Sequence, residues 1–279
     1  MNSNWSVFGL GLWRQMGIHQ SNLNRSMERL SSGLRINSAA DDPAGLAISE
    51  RMRAQIRGLN AAERNVQDGI SMVQTADGAL STVQNILQRL NELATQSSNG
   101  TYNDKDRKAL AEEFNQLLSE INTIGDQTEF NTNPLFKEKN GSGSNKFVLQ
   151  IGANAGQTLE IDLGIMNTTV IGLKDVSIAT QEDAMKAIKP IQNAIDQISM
   201  KRAKLGAVQN RLEYIADNLE NYAENLTEAE SRIRDADMAK EMLDYSRSNV
   251  LMQVTQSLFA QVNKQRQSMI DMLKSMLNS

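Results

Sequence analysis

The chain of 279 residues is 40% apolar but only 4% aromatic, carries three prolines and no cysteine, and has a formal net charge of -4. So little aromatic and proline content favours long helices over a sheet-based core. The missing cysteines exclude disulfides, thiolate metal sites, iron–sulfur clusters and cysteine nucleophiles, and no Lys/Arg-rich run provides the footprint of a nucleic-acid binder.

The chain opens with Trp5, Val7, Phe8, Leu10, Leu12 and Trp13, without a basic lead or a small-residue cleavage site, so no Sec-type leader is expected. No stretch approaches the ~18 continuous apolar residues that cross a bilayer, so no membrane insertion is expected either. Met16, Leu23, Met27 and Leu30 then form one stripe of an amphipathic helix.

Asp41-Asp42-Pro43 marks the start of a much longer helix, with Asp42 capping free N–H groups and Pro43 at the first helical position. Its stripe of Val66, Ile70, Val73, Ala76, Leu80, Val83, Leu87, Leu90 and Ala94 alternates spacings of three and four, which is a seam for packing against other helices. Asn99-Gly100 ends it, giving roughly 55 residues or ~80 Å at 1.5 Å per residue. A second helix opens at Asn103 or Asp104, runs through Leu110, Phe114, Leu117, Leu118 and Ile121, stops near Gly125 and folds back along the first.

From Asn131 the texture changes. Asn140-Gly141-Ser142-Gly143-Ser144-Asn145 reads as a flexible turn, and Phe147 to Ile151 and Thr158 to Leu163 read as the two strands of one hairpin around Gly152 to Gly156. A third long helix carries Ile188, Ile191, Ile195, Ile198, Leu205, Val208, Leu212, Ile215, Leu219, Tyr222 and Leu226, with Thr180 and Asp183 as its capping box. Pro190 conflicts with a straight helix from that cap, so the helix either kinks there or becomes regular near Lys189. After Arg234-Asp235-Ala236-Asp237 a last stripe runs through Leu243, Val250, Val254, Leu258, Val262, Met269, Leu273 and Met276.

These elements make the fold mainly α: a long antiparallel helical coiled-coil bundle with one small β-hairpin region. Neither terminal stripe has a neighbouring helix in sequence, so each needs the other terminus or another molecule as its partner. An isolated helix is marginal in water, so both ends are expected to be mobile in the lone chain and to order on assembly.

Residues that carry chemistry are sparse. His19 is the only histidine, which excludes the paired imidazoles of a His-Glu-x-x-His zinc site, and no Gly-x-Ser-x-Gly elbow offers a nucleophile. Asp41 with Asp42, and Asp235 with Asp237 and Glu241, could be read as carboxylate or calcium sites, but their places beside helix starts make them caps. Gly9-Leu10-Gly11 lacks the strand and third glycine of a phosphate loop. No catalytic, metal or cofactor site is expected, and the Met269, Met272, Met276 spacing reads as a packing seam.

The segment Leu30-Ser31-Ser32-Gly33-Leu34-Arg35-Ile36-Asn37-Ser38-Ala39-Ala40-Asp41-Asp42-Pro43-Ala44-Gly45-Leu46-Ala47-Ile48 resembles the hallmark of bacterial flagellins. Asn65-Val66-Gln67-Asp68-Gly69-Ile70-Ser71, Gln150-Ile151-Gly152-Ala153-Asn154-Ala155-Gly156-Gln157 and Glu230-Ser231-Arg232-Ile233-Arg234-Asp235-Ala236-Asp237-Met238-Ala239 are similar to the same family, in the same order. The resemblance implies a filament subunit without the large outer domains that many relatives carry near 167–180. Its domains would be a D0 N-terminal helix over 1–33, D1 parts over 34–180 and 181–237, and a D0 C-terminal helix over 238–279. Two departures stand out: Asn2-Ser3-Asn4-Trp5 with Trp5 and Trp13 replaces the family's usual Ile-Asn-x-Asn start, and Arg266 stands where proline is common.

What the resemblance implies for function is self-assembly into a helical homopolymer after export by the flagellar type III apparatus. Met16, Leu23, Met27, Leu30, Val254, Leu258, Val262, Met269, Leu273 and Met276 would be the polymerisation seams. It also implies an export chaperone masking 250–277, through Val250, Leu251, Leu258 and Leu273, and a filament cap. Arg89, Leu93 and Glu113 match the patch bound by a vertebrate innate immune receptor. The alternatives are a hook–filament junction or another type III-secreted coiled-coil protein, and a cytosolic helical binding module.

Overall fold

The computed structural model describes residues 2–137 and 145–277, with side chains described for 9–137, 145–268 and 270–272. The flexible turn expected from Asn140 to Ser144 lies outside the described residues. Five helices, α1 (Asn2–Ser32), α2 (Pro43–Ser97), α3 (Asp104–Gln127), α4 (Gln181–Arg234) and α5 (Met238–Leu277), are joined by four short strands between α3 and α4.

The helix boundaries follow from local chemistry. Gly33 adopts φ +73° and its N–H donates to the Arg29 carbonyl at 2.8 Å, the left-handed stop that only glycine adopts without strain. Asp42 Oδ1 accepts from Gly45 N at 2.9 Å, capping α2. In α3, Asn103 and Asp106 form a reciprocal capping box. Thr180 Oγ1 accepts from Asp183 N at 3.2 Å, and Asp237 Oδ1 accepts from Ala239 N at 3.0 Å, doing the same for α4 and α5. Helix α4 begins directly at Gln181 and runs through Pro190, so it does not wait for Lys189 to become regular.

The chain divides into two compact units, Met1–Ala54 with Asn225–Ser279 and Gln55–Glu224. In the second unit the seam of α2 packs against Phe114 and Ile121 of α3 and Ile191, Ile198, Leu205 and Leu212 of α4, all of them buried. Leu135, Phe136, Ile161, Leu163, Ile171 and Leu173 of the connecting segment complete that core. Tyr222, placed on the α4 seam by periodicity, is instead exposed.

Strands β3 (Lys146–Gln150) and β4 (Thr158–Asp162) pair antiparallel from Lys146 opposite Asp162 to Gln150 opposite Thr158. A second, minimal hairpin joins β1 (Glu129–Phe130) to β2 (Asn133–Pro134) through Asn131 and Thr132, with φ of 50° and 64°. Sequence reading missed it because this turn type is signalled by Asn-Gly, and here a threonine takes the second left-handed position.

Polar side chains fasten the connections to the helices. The buried Arg107 guanidinium donates to the carbonyls of Ser97, the last residue of α2, and of Asn99 and Tyr102 in the loop that follows it. Lys201 Nζ donates to the Ile165 carbonyl at 2.8 Å, and burial pushes its ammonium pKa down. Arg202 on α4 grips Asp77 and Gln84 of α2, each at 2.8 Å.

Gly125 does not end α3, which continues to Gln127. Its missing side chain instead makes room for the backbone of Met166, whose carbonyl oxygen occupies the place a Cβ would take. Gly125→Ala is therefore expected to destabilise the second unit by about 1–3 kcal/mol through overpacking. Gly78→Ala, at an exposed helical site with nothing within 4 Å of the new Cβ, is expected to stabilise it by about 1 kcal/mol. Urea unfolding of both variants measures the opposite signs.

Candidate assembly surfaces

In the terminal unit α1 and α5 lie antiparallel. Arg29 meets Glu241 at 3.0 Å at one end, while Leu10 and Trp13 share a cleft with Phe259 and Val262 toward the other. Of the two partners the sequence left open for each terminal stripe, the structure supplies the other terminus.

The face of α5 that this pairing buries is not the face the apolar pattern marks. Among the described residues Glu241, Ser248, Thr255 and Val262 are the buried positions of α5, one every seven residues and three of the four polar, with Tyr245, Met252 and Phe259 half-buried between them. Periodicity could have found the spacing, but a search for apolar residues passes over Glu, Ser and Thr. Val250, Leu251, Val254 and Leu258, like Met242 and Leu243, instead point to solvent; Val254 is 47% and Leu258 44% exposed.

On α1, Met16, Leu23 and Leu30 are half-buried beside a buried Ser26, whereas Met27 is exposed. Thus Met16, Leu23, Leu30 and Val262 come together within the pair, and Met27, Val254 and Leu258 remain outside it. The side chains of Met269, Leu273 and Met276 lie outside the described residues. So does that of Trp5, while Trp13 is 64% exposed. A polar cavity of about 300 Å³, bordered by His19, Ser26, Arg29, Glu241 and Ser248, interrupts the pair.

At the base of this pair, two segments distant in sequence meet. Ala236 N donates to the Gly33 carbonyl at 2.9 Å and Arg35 N to the Arg234 carbonyl at 2.6 Å, a short antiparallel bridge centred on Leu34 and Asp235. The Arg35 guanidinium adds a bond to the Ile233 carbonyl. Arg234, buried, reaches Glu50 at 2.6 Å, and Ile36 is buried beside it in the same unit. Gly45 is required because a Cβ there would overlap the Asp42 carboxylate and press on Ile36.

The acidic pairs serve this scaffold. Asp41 Oδ2 accepts from Ser38 N at 3.0 Å and Asn37 N at 3.2 Å, and the Ser38 backbone bond leads in holding its carboxyl below the usual range. The hydrogen bond from Arg234 does the same for Glu50. Asp235 accepts from Ser231 Oγ at 2.5 Å. Among the described residues no three such side chains gather as a metal site.

In the second unit, Arg89 and Glu113 form a surface ion pair at 2.9 Å, and Arg89 also reaches Glu92 at 3.1 Å. Leu93 does not join them at the surface: it is 0% exposed and belongs to the core. Alternating threes and fours mark both Leu90 and Ala94, and the seam widens here to take in Leu93 as α3 packs alongside. An open groove of about 860 Å³ lies between Leu59 of α2, the loop from Ile151 to Gln157, and Tyr214 and Leu219 of α4. Among the described residues no helix is long and apolar enough to cross a membrane.

Comparison with known proteins gives these surfaces a context. Residues 8–141 match the bacterial flagellin N-terminal helical region, and residues 185–273 match the bacterial flagellin C-terminal helical region. The chain is 48% identical to a flagellin of Halalkalibacterium halodurans over 273 residues, which is 97% of this chain and 99% of the relative. It is 43% identical to a flagellin of Bacillus subtilis over 304 residues, 98% of this chain and 100% of the relative. A flagellar filament 31.3 kDa core protein of Treponema maltophilum is 40% identical over 94% of this chain and 96% of its own length. The crystal structure of Bacillus cereus flagellin matches with a TM-score of 0.50 at 32% identity, over 56% of this chain and 88% of that one. A provisionally named flagellar hook-associated protein from Vibrio parahaemolyticus matches at a TM-score of 0.59 over 70% of this chain and 100% of its own, but at 13% identity, a likeness of fold alone.

Both Asp41 and Glu50 have folded-state pKa values below their ordinary 3.8 and 4.5. Their stabilisation is therefore complete above the ordinary values and is lost as pH falls through the lowered ones. Denaturation of the native chain and Glu50→Gln at pH 7 and at stepwise lower pH is expected to show a stability gap that closes below pH 4.5.

Proposed function

This chain belongs to the bacterial flagellin family and is a structural subunit of the flagellar filament, and on that premise we propose how its surfaces divide the work of assembly. The terminal helices over 1–33 and 238–279 act as the D0 part and residues 34–237 as D1, so that the compact terminal unit, Met1–Ala54 with Asn225–Ser279, holds D0 and the adjoining ends of D1. D0 joins subunits chiefly through the outward apolar face of α5, with Val254 and Leu258 at its centre. The observation that carries this reading is the placement of those residues in solvent while Glu241, Ser248 and Thr255 take buried positions in the seam against α1.

Contacts in which one face meets a different face of the next copy generate an open helical filament. Burial of the outer stripe drives them at ~25 cal/mol per Å² of apolar surface. The work is assembly and not turnover: the carboxylates near the helix starts are engaged as caps and ion pairs, and the chain is not an enzyme. It acts outside the cell, after export through the flagellar type III apparatus.

The same stripe is the natural segment for an export chaperone to mask before assembly, through Val250, Leu251, Leu258 and Leu273 within 250–277, and the growing end would meet a filament cap. A vertebrate innate immune receptor approaching the second unit would engage Arg89 and Glu113, with Leu93 shaping that face from beneath. A hook–filament junction role is set aside, since flagellins and filament core proteins match at 40–48% identity and the hook-associated protein at 13%.

Heat-dissociated protein is expected to elongate filament fragments used as seeds, and removal of 250–279 is expected to abolish elongation while the second unit stays helical by circular dichroism. Leu258→Glu, at a half-exposed site, is expected to change subunit stability by no more than about 0.5 kcal/mol yet reduce elongation at least tenfold. Elongation of that variant at the native rate would refute the outer-face assignment.

A further inference from the structure

A helix pair joined by a repeating seam faces an ambiguity of register, because a slide by one heptad, about 10 Å at 1.5 Å per residue, sets Ser248 where Thr255 was and half-buried Met252 where half-buried Phe259 was. On α5, Ser248 and Thr255 exchange places almost without penalty. On α1, Met16, Leu23 and Leu30 repeat at the same interval. The cavity beside Ser26 and Ser248 further removes the close packing that would tell one alignment from another.

The base of the pair is different. Sliding α5 one way puts Ser248 against Arg29 and carries Glu241 past the end of α1; sliding it the other way sets Glu241 beside Asn22. In either case Arg29, whose side chain is only 26% exposed, loses its carboxylate, and a half-buried charge without a partner is strongly disfavoured. Its Nε is already buried without an acceptor, so the Glu241 carboxylate is the side-chain partner that its guanidinium bonds. Immediately beyond, the Gly33–Ala236 and Arg35–Arg234 backbone bonds would also break. They depend on the left-handed turn at Gly33, a conformation other side chains resist.

Resting on the assembly reading above, we infer that the register of the terminal helix pair is set by a clamp at its base, the Arg29–Glu241 ion pair with the Gly33–Ala236 and Arg35–Arg234 backbone bonds, and not by the seam along its length. A polar contact that fixes alignment is an attested use of buried polar groups between helices. The backbone part of the clamp, Gly33, Arg35, Arg234 and Ala236, comes from two of the segments that resemble the flagellin hallmarks, and Arg29 and Glu241 flank them.

The chain has no cysteine, so Gln20→Cys and Gln256→Cys, exposed residues that border one cleft between α1 and α5, can carry a pair of spin labels. The labelled chain is co-assembled as a small minority with unlabelled subunits on filament seeds, and the distance between labels is measured by pulsed electron resonance. One narrow distance is expected in the otherwise native chain and in Ser248→Leu. Glu241→Arg is expected to add a second distance displaced by about one heptad, ~10 Å, read in the unassembled chain as well as in the fraction that incorporates. The exchange Arg29→Glu with Glu241→Arg is expected to restore incorporation and the single distance.

A contact that merely stabilised the pair would lower incorporation without moving the distance. The clamp is overturned if Glu241→Arg shows the native distance alone, if the exchanged pair fails to restore it, or if Ser248→Leu splits the distance. A native chain that does not elongate seeds overturns the assembly reading itself, whereas elongation with an unmoved distance in Glu241→Arg overturns the clamp and leaves assembly standing.

Discussion

Two helices in contact bury one stripe each, and apolar residues outside that stripe stay wet until a third surface covers them. In α5 that geometry decides almost everything else. Glu241, Ser248, Thr255 and Val262 take the inner positions, so the residues most averse to water are turned outward. A monomeric soluble protein scatters exposed apolar residues singly; a contiguous row of them marks a site of interaction. On the proposed reading, the row is the surface that a neighbouring copy covers in the filament.

The three-helix unit solves the opposite problem. There the seam of α2 is buried along its length within one chain, against α3, α4 and the segment between them. Some of the polar groups that enter that interior fasten it: Arg107 closes the end of α2, and Ser97 Oγ donates to the Ile178 carbonyl at 2.8 Å. One unit is thus complete in itself while the other presents its apolar surface outward. The base of the terminal pair is held by directional bonds instead of by apolar packing, with Arg234 and Glu50 bringing the start of α2 into contact with the end of α4.

Much of this was legible in the sequence because the signals are local and strong. The 55 residues of α2 run from Pro43 to Ser97, where Asp42 and Asn99-Gly100 point. The capping pairs Asn103 with Asp106 and Thr180 with Asp183 mark real helix starts, and β3 and β4 fall within one residue of their expected limits. What was illegible depends on contacts across long stretches of chain. Gly125 looks like a helix terminator, yet it serves a close approach by Met166. Leu93 looks like the flank of a seam, yet the packing of α3 makes it core. The inner face of α5 was hidden because periodic analysis weights apolar residues, and tertiary pairing chose a stripe whose most buried positions are mainly hydroxyl and carboxylate.

The two faces of α5 are complementary in what they contribute. Apolar contact is non-directional and scales with area, so it drives association but discriminates poorly between alignments of a repeating surface. Hydrogen bonds and half-buried ion pairs add little net stability, yet they are costly when mismatched, and this gives them discrimination out of proportion to their strength. Had the seam been leucine-rich, the lone chain would have satisfied its own terminal helices and kept little surface in reserve for a neighbour. Had the outer face been polar, alignment would have been secure but nothing would have driven the copies together. Placing Ser248 and Thr255 inside and Val254 and Leu258 outside separates the two tasks on one helix. On the proposed reading, it also lets a chain with so few aromatic side chains build a polymer, because its apolar surface is kept where another copy would meet it.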